Sequence, residues 1–120
     1  MKLRINKNSI RLRLSQSELE VFRQNGKWSE ILHFPNGGAL IYRLREGTDT
    51  LVSYAQDVIT VVLCEEEVET WINTEQVGIR AELDLPGGEK LSILVEKDFQ
   101  CLTNREEDQS DLFPNPKDSH

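Results

Sequence analysis

The sequence predicts an α+β domain in which a mainly antiparallel, barrel-like sheet is accompanied by two short helices. Three observations lead to this prediction: many short segments alternate apolar and polar residues, turns containing Gly, Pro or Asn separate them, and two segments have helical spacing. A chain of 120 residues with 38% hydrophobic positions can bury one core and no second one. We therefore expect a single domain over residues 1–103 and an acidic, proline-containing tail over 104–120.

The first half of the chain contains signals for four strands and one helix. Ser15 and Glu18 have the spacing of a capping box, and Asn25-Gly26 ends the helical pattern, so we predict a helix over 16–25. The alternating segments around it are separated by short polar turns, and the first two segments should form a hairpin. The predicted strands lie near residues 2–6, 10–14, 28–34 and 39–45.

The second half predicts four more strands and a second helix. Glutamates from position 65 onwards begin a segment in which Val68, Trp71 and Ile72 share one helical face, which predicts a helix over 65–73. The apolar, β-branched run from Val58 to Leu63 is typical of a central buried strand. The sequence shows no internal repeat. The predicted strands lie near residues 51–54, 57–63, 79–85 and 91–95.

The net charge of −7 conceals two regions of opposite sign. Residues 1–14 carry five basic and no acidic side chains, whereas residues 15–120 carry nine basic and 21 acidic ones. The first region is therefore +5 and the remainder −12. The acidic total argues against nucleic acid or an anionic membrane as a partner of the protein as a whole.

The basic N-terminal residues have the pattern of strands rather than of a targeting peptide. Bases alternate with apolar residues in 2–6 and 10–14, and no apolar stretch of signal-peptide length follows. The longest apolar run, 58–64, is too short to span a membrane. Two cysteines are too few for a disulfide framework, so we expect a cytoplasmic protein with reduced thiols.

Six of the eight arginines fall on the polar side of alternating strands, where lysine is the commoner choice. The planar guanidinium donor fork suits phosphate and carboxylate groups. If the strands are neighbours, the arginines form a basic face for a small anionic or phosphorylated ligand. Alternatively, they pair across strands with Glu82, Asp84 or Glu96. The candidate ligand-binding residues are Arg4, Arg11, Arg13, Arg43, Arg45 and Arg80.

Other chemistry-bearing residues lack the spacing of a catalytic, metal or cofactor site. Cys64 precedes a predicted helix, but three glutamates follow it and oppose formation of a thiolate, so we expect no catalytic residue there. The Gly pairs at 37–38 and 87–88 lack the context of a phosphate loop and predict hairpin turns, so no cofactor is expected. No zinc or calcium spacing links the potential ligands His33, Cys64, Cys101, Asp108, Asp111 and His120.

The tail places a cluster of acids before an apolar core, Leu112-Phe113-Pro114. Such a segment can act as a docking peptide for a basic, grooved partner. It can equally fold back onto the basic face of its own chain, or serve only as a solubilising tail.

Two partial resemblances suggest further functions. An N-terminal strand with alternating charges is similar to that of the triphosphate-tunnel enzymes, but Lys2-Leu3-Arg4-Ile5 lacks their glutamate ligands, so that hydrolase chemistry is not expected. The segment Asn8–Leu14 resembles the DNA-binding hairpin of swapped-hairpin antitoxins and transition-state regulators, although Lys7 and Leu14 replace the glycine and proline of that pattern. The resemblance implies DNA binding through the basic hairpin as a remote alternative.

A longer resemblance links both ends of the chain to one family. The quoted segments are Lys2–Ile5, Asn8–Leu14, Glu96–Leu102, Glu107–Asp111 and Pro114–Pro116. Together they resemble a family of small uncharacterised bacterial proteins of similar length. The resemblance implies a bacterial, cytoplasmic, stand-alone domain and carries over no site residue. We therefore expect a small non-catalytic binding or interaction domain with a protein partner. The alternative is a small anion on the arginine face, with or without enzymatic turnover.

Overall fold

Strands and helices cover most of residues 2–97 in a computed structural model of the chain, which describes residues 1–99. Both predicted helices are confirmed with their predicted bounds, and each predicted strand is found to within two residues of its predicted ends. Cys101 and the predicted tail lie outside the described residues. The elements are β1 (Lys2–Asn6), β2 (Ser9–Leu14), α1 (Gln16–Asn25), β3 (Lys27–His33), β4 (Ala39–Gly47), β5 (Leu51–Ala55), β6 (Val58–Cys64), α2 (Glu65–Asn73), β7 (Gly78–Asp84) and β8 (Lys90–Lys97).

The strands form two mixed sheets, which corrects the prediction of one mainly antiparallel, barrel-like sheet. Sheet A has the order β1-β2-β8-β7, sheet B has the order β3-β4-β6-β5, and the described strands do not close into a barrel. The four hairpins are antiparallel as expected, but the central pairs β2–β8 and β4–β6 are parallel. Turn signals reveal the hairpins, whereas no turn links the parallel pairs: β2 and β8 lie near opposite ends of the described residues, and β4 and β6 are separated by β5.

The chain is a structural duplication of one ββαββ unit, which corrects the expectation of no internal repeat. The first unit is β1-β2-α1-β3-β4 and the second is β5-β6-α2-β7-β8. If each strand is exchanged for its equivalent in the other unit, the order of sheet A, β1-β2-β8-β7, becomes β5-β6-β4-β3, which is sheet B read from its other edge. The register agrees as well, because Leu12 lies opposite Val95 in sheet A while Val61 lies opposite Leu44 in sheet B. Each sheet therefore contains one hairpin from each unit.

The second hairpin of each unit has the same turn. The amide of Phe34 donates to the carbonyl of Gly38 at 2.9 Å, and the amide of Leu85 donates to that of Glu89 at 2.8 Å. Gly37 and Gly88 have φ values of 91° and 89°, a left-handed conformation that favours glycine. The duplication is thus visible in the sequence at these two turns, where an apolar residue and a proline precede the glycines: Phe34-Pro35 and Leu85-Pro86.

Besides the β2–β8 and β4–β6 pairs, the two units contact each other through equivalent aromatic residues of the two helices. Phe22 of α1 and Trp71 of α2 are both fully buried, and their rings contact edge-to-face with centroids 6.5 Å apart. The Trp71 indole N–H donates to the carbonyl of Val77 at 2.9 Å, so its polar atom is satisfied. One core surrounds this contact and includes buried side chains from both sheets: Leu12, Leu14, Leu44, Val61, Leu63, Ile79, Ile93 and Val95.

A second contact fastens the beginning of the chain to α1 and β3. The α-ammonium of Met1 binds the carboxylates of Glu18 and Glu30, with 2.6 Å to Oε2 of Glu30. The indole N–H of Trp28 donates to the same Glu30 oxygen at 2.8 Å. Glu18 also completes the predicted capping box, since its side chain accepts from the backbone N–H of Ser15. This network ties β1 to the rest of the unit.

We expect Phe22→Ala to destabilise the fold by about 3–4 kcal/mol, because it leaves a cavity at the contact between the two units. Urea denaturation followed by far-UV circular dichroism measures this change. Phe34→Ala removes the same side chain from an exposed turn position and serves as the matched control. Equal losses in the two variants would contradict the central role of the Phe22–Trp71 contact.

We expect Glu18→Gln to lower the free energy of unfolding at pH 7 by about 1–2 kcal/mol, since it removes a charged hydrogen-bond acceptor. Burial alone would raise the pKa of Glu18, but hydrogen bonds from the Met1 ammonium and from Ser15 hold it below 4.5, its ordinary value. The contribution of Glu18 is therefore complete above about pH 4.5 and is lost as the pH falls through the lowered pKa.

The stability difference between the wild type and Glu18→Gln should accordingly shrink in urea titrations below that pH. Glu75→Gln, which removes an exposed carboxylate outside this network, is the control. A difference that is independent of pH would contradict this account.

Candidate anion-binding site

The β1–β2 hairpin presents four cationic side chains on one face. Strand alternation directs Leu12 and Leu14 into the core and leaves the intervening residues on the opposite side of sheet A. The hairpin register places Arg4 directly opposite Arg11 and Lys2 directly opposite Arg13. Like charges in directly opposite positions destabilise a sheet by roughly 0.2–1 kcal/mol a pair, so strand pairing alone does not favour this arrangement. We call these residues the basic cluster: Lys2, Arg4, Arg11 and Arg13.

The basic cluster surrounds a small cavity. The four side chains line a volume of about 140 Å³ on the outer face of sheet A. The side chains of Arg11 and Arg13 are 35% and 39% exposed, so both remain partly accessible to solvent. The cavity is therefore lined by donors and open to solvent.

A nearly buried carboxylate positions the two inner arginines. Glu96 of β8 is 8% exposed, and its Oε2 accepts from the Nε of Arg11 at 2.6 Å. The Nε of Arg13 lies 3.6 Å from the same oxygen. Burial would raise the pKa of Glu96, but the hydrogen bond and charge of Arg11, together with Arg13, hold this pKa below its ordinary value. Glu96 is thus ionised at neutral pH.

Positive charge remains in excess around the cavity. The Nζ of Lys2 lies 2.9 Å from Oδ2 of Asp98, so two carboxylates face the four cations of the basic cluster. Among the described residues, no carboxylate is within ion-pair distance of Arg4. Of the carboxylates considered as cross-strand partners, Glu96 pairs with arginines whereas Asp84 pairs with Lys90 at 2.9 Å.

The six arginines predicted as a ligand-binding face are divided between the two sheets. Arg4, Arg11, Arg13 and Arg80 lie on the outer face of sheet A, with Arg80 on β7 opposite Leu94. Arg43 and Arg45 lie on β4, on the outer face of sheet B. The sequence could assign each arginine to a strand face but not to a sheet, because the sheet is determined by the pairing of distant strands.

The duplication provides an internal comparison for the basic cluster. The β5–β6 hairpin has the same register and occupies the equivalent place in sheet B. Uncharged residues fill the four equivalent positions there, and the hairpin forms nonetheless. The fold therefore does not require cations at these positions. The equivalent residues are Leu51, Ser53, Thr60 and Val62.

Within residues 1–99, the structure does not bring potential metal ligands together. No group of three or more His, Cys, Asp or Glu side chains in that part of the chain could hold a metal ion. Cys64 is a half-buried free thiol at the start of α2, and its side chain makes no capping hydrogen bond. Cys101, Asp108, Asp111 and His120, which were considered as ligands, lie outside the described residues. Neither described helix is long and apolar enough to cross a membrane.

A comparison with protein-family models identifies the group to which the chain is related. The model of a family of unknown function, DUF7009, matches residues 1–117. The chain belongs to this family. The expected membership of an uncharacterised family is thereby confirmed, and the DUF7009 match extends through most of the acidic segment beyond the described residues. No curated protein and no solved structure matches the chain.

We expect Glu96→Gln to reduce stability by about 1–2 kcal/mol at pH 7, because it leaves Arg11 and Arg13 without their shared carboxylate. The folded pKa of Glu96 is lowered, so this contribution should be lost as the pH falls below the ordinary carboxyl value. Urea denaturation of the wild type and the variant between pH 7 and pH 3 tests both statements. Glu82→Gln, an exposed position on the same sheet, should have little effect. Equal stability of wild type and Glu96→Gln at pH 7 would contradict the positioning role of Glu96.

Proposed function

We propose that this protein is a non-catalytic binding domain whose basic cluster holds a small anionic group, with phosphate as the favoured chemistry. The observation that carries the proposal is that two pairs of directly opposed cations, Lys2 with Arg13 and Arg4 with Arg11, line one cavity. The other unit has uncharged residues at the equivalent positions. A bound anion would relieve the repulsion between the opposed side chains. The relief of this repulsion would contribute to the binding free energy.

The size of the cavity supports one anionic group rather than a complete nucleotide. Pockets that enclose whole drug-sized ligands generally have volumes of about 300–1,000 Å³. The 140 Å³ cavity is smaller than this range. The ligand would therefore place a single phosphoryl or carboxylate group among the arginines and leave its remainder outside.

The chemistry of the lining supports binding rather than turnover. All four side chains are cations, and guanidinium groups offer paired donors that match the oxygens of a phosphate. Glu96 holds Arg11 and Arg13 through their Nε atoms, which reduces the rotamer entropy lost when a ligand binds. The cavity lining contains no hydroxyl, thiol or carboxylate side chain.

We expect a phosphate-bearing ligand to raise the melting temperature of the wild type by several degrees. A ligand at 100 times its Kd adds about 2.7 kcal/mol to stability, which at about 4 °C per kcal/mol corresponds to a shift of roughly 10 °C in a domain of this size. The measurement is a thermal-shift panel of inorganic phosphate, pyrophosphate, polyphosphate, nucleotides and phosphosugars. Sodium chloride at matched ionic strength controls for general screening.

Two double variants test whether the basic cluster is responsible. Arg11→Gln/Arg13→Gln should abolish the shift, and so should Lys2→Gln/Arg4→Gln, which leaves the pairing of Glu96 intact. Arg43→Gln/Arg45→Gln removes the same charge from sheet B and should retain the shift. If no anion raises the melting temperature of the wild type, or if all variants show equal shifts in melting temperature, anion binding at the basic cluster is refuted. A shift with duplex DNA alone would favour nucleic-acid binding instead.

A further inference from the structure

We propose that the acidic and apolar segment Glu106–Phe113 of this chain docks on the outer face of sheet B. The segment carries Glu106, Glu107, Asp108 and Asp111, followed by Leu112 and Phe113. It lies beyond the described residues but within the part of the chain that the family model matches. The proposal is independent of anion binding, because it concerns the opposite sheet.

The outer face of sheet B combines basic and apolar side chains. Arg43 and Arg45 of β4 lie beside Lys27 of β3, and the described residues of this face include no carboxylate. A cavity of about 560 Å³ opens where these cations meet the last turn of α1 and the indole of Trp28. On the same face, Ile31 and Leu51 remain 54% and 44% exposed.

A comparison of the two units shows that sheet B has an arginine where sheet A has a carboxylate. The position of Arg45 in sheet B is equivalent to that of Glu96 in sheet A, which supplies the carboxylate for two arginines there. Arg43 is held by the hydroxyl of Ser29, with 3.1 Å from Nε to Oγ, and an Nη of Arg45 donates to the carbonyl of Glu46. These partners are neutral and Arg45 is exposed, so both guanidinium groups can accept an acidic segment from elsewhere in the chain.

The apolar residues of the segment distinguish sheet B from sheet A as its docking face. Surfaces that bind protein segments combine apolar side chains with arginine. The basic cluster on sheet A already has the carboxylates of Glu96 and Asp98 beside it. On the outer face of sheet B, Leu51 lies in the cross-strand row of Arg45, and Ile31 follows Ser29, the partner of Arg43, by two residues along β3. Either residue offers an apolar contact to the Leu112-Phe113 pair beside the arginines.

The length of the connecting chain permits docking within one molecule. Phe99 lines a cavity with Ser15, Gln16 and Leu19 at the beginning of α1, whereas Asn25 at the end of α1 lines the cavity beside sheet B. The ten residues of α1 extend over about 15 Å. The seven residues from Phe99 to Glu106 can span up to about 23 Å. The acidic segment can therefore reach this face from the place where the chain leaves β8.

Photocrosslinking of the full chain tests the proposal. A p-benzoyl-phenylalanine group replaces Phe113, and the crosslinked peptides of the monomeric product are identified by mass spectrometry after irradiation. We expect crosslinks to the outer face of sheet B, near Ile31 on β3, near the arginines of β4, or near Leu51 on β5. Arg43→Gln/Arg45→Gln should reduce their yield at least fivefold, while the matched variant Arg11→Gln/Arg13→Gln should leave it unchanged. Circular dichroism verifies that both variants are folded.

Each other outcome overturns the proposal in an identifiable way. Crosslinks to β1 or β2 would place the segment on the basic cluster. Crosslinked dimers without monomeric product would show that a second copy supplies the segment. Absence of crosslinks, or equal yields in the two arginine variants, would show that the segment has no docking site on sheet B. None of these results depends on whether the basic cluster binds an anion.

Discussion

The edge-to-face contact between Phe22 and Trp71 joins the helices of the two halves of the molecule, which also pair through β2–β8 and β4–β6. Each residue comes from the helix of one ββαββ unit, and each is surrounded by side chains from both sheets. Because every sheet takes one hairpin from each unit, the helices connect strands that belong to different sheets. The aromatic pair therefore holds both sheets in place, and the outer faces on which the candidate binding surfaces lie are positioned through it.

The two outer faces show how one backbone plan can carry different electrostatics. In sheet A the cations lie on the β1–β2 hairpin, with a carboxylate on the neighbouring parallel strand. In sheet B the hairpin is uncharged, and arginines occupy the strand that carries the carboxylate in sheet A. Sheet A is therefore suited to a single compact anion, because its arginines are already oriented by Glu96. Sheet B is suited to a longer acidic segment, because its arginines have only neutral partners and lie beside exposed apolar residues.

Local signals predicted the elements of this fold, whereas nonlocal pairing determined their arrangement. The capping box of Ser15 and Glu18 and the glycine at position 26 specify α1 within a dozen residues, so the predicted bounds agree with the observed ones. No local signal shows that β2 pairs with β8, since those strands lie at opposite ends of the chain. The same reason explains why the alternating arginines could be found but not divided between the sheets. The duplication is visible in sequence only at two turns, and recognising it required the strand order.

The exchange of hairpins between the two units also has a consequence for the synthesis of the protein. β2 is central in sheet A, and its parallel partner β8 ends at Lys97. Sheet A therefore cannot be completed before residue 97 has been made. Sheet B likewise waits for β6 beside β4. Parallel pairs between distant strands form slowly because a long loop must close first. Until β8 has been made, the nascent chain would therefore leave the apolar faces of its first hairpins uncovered.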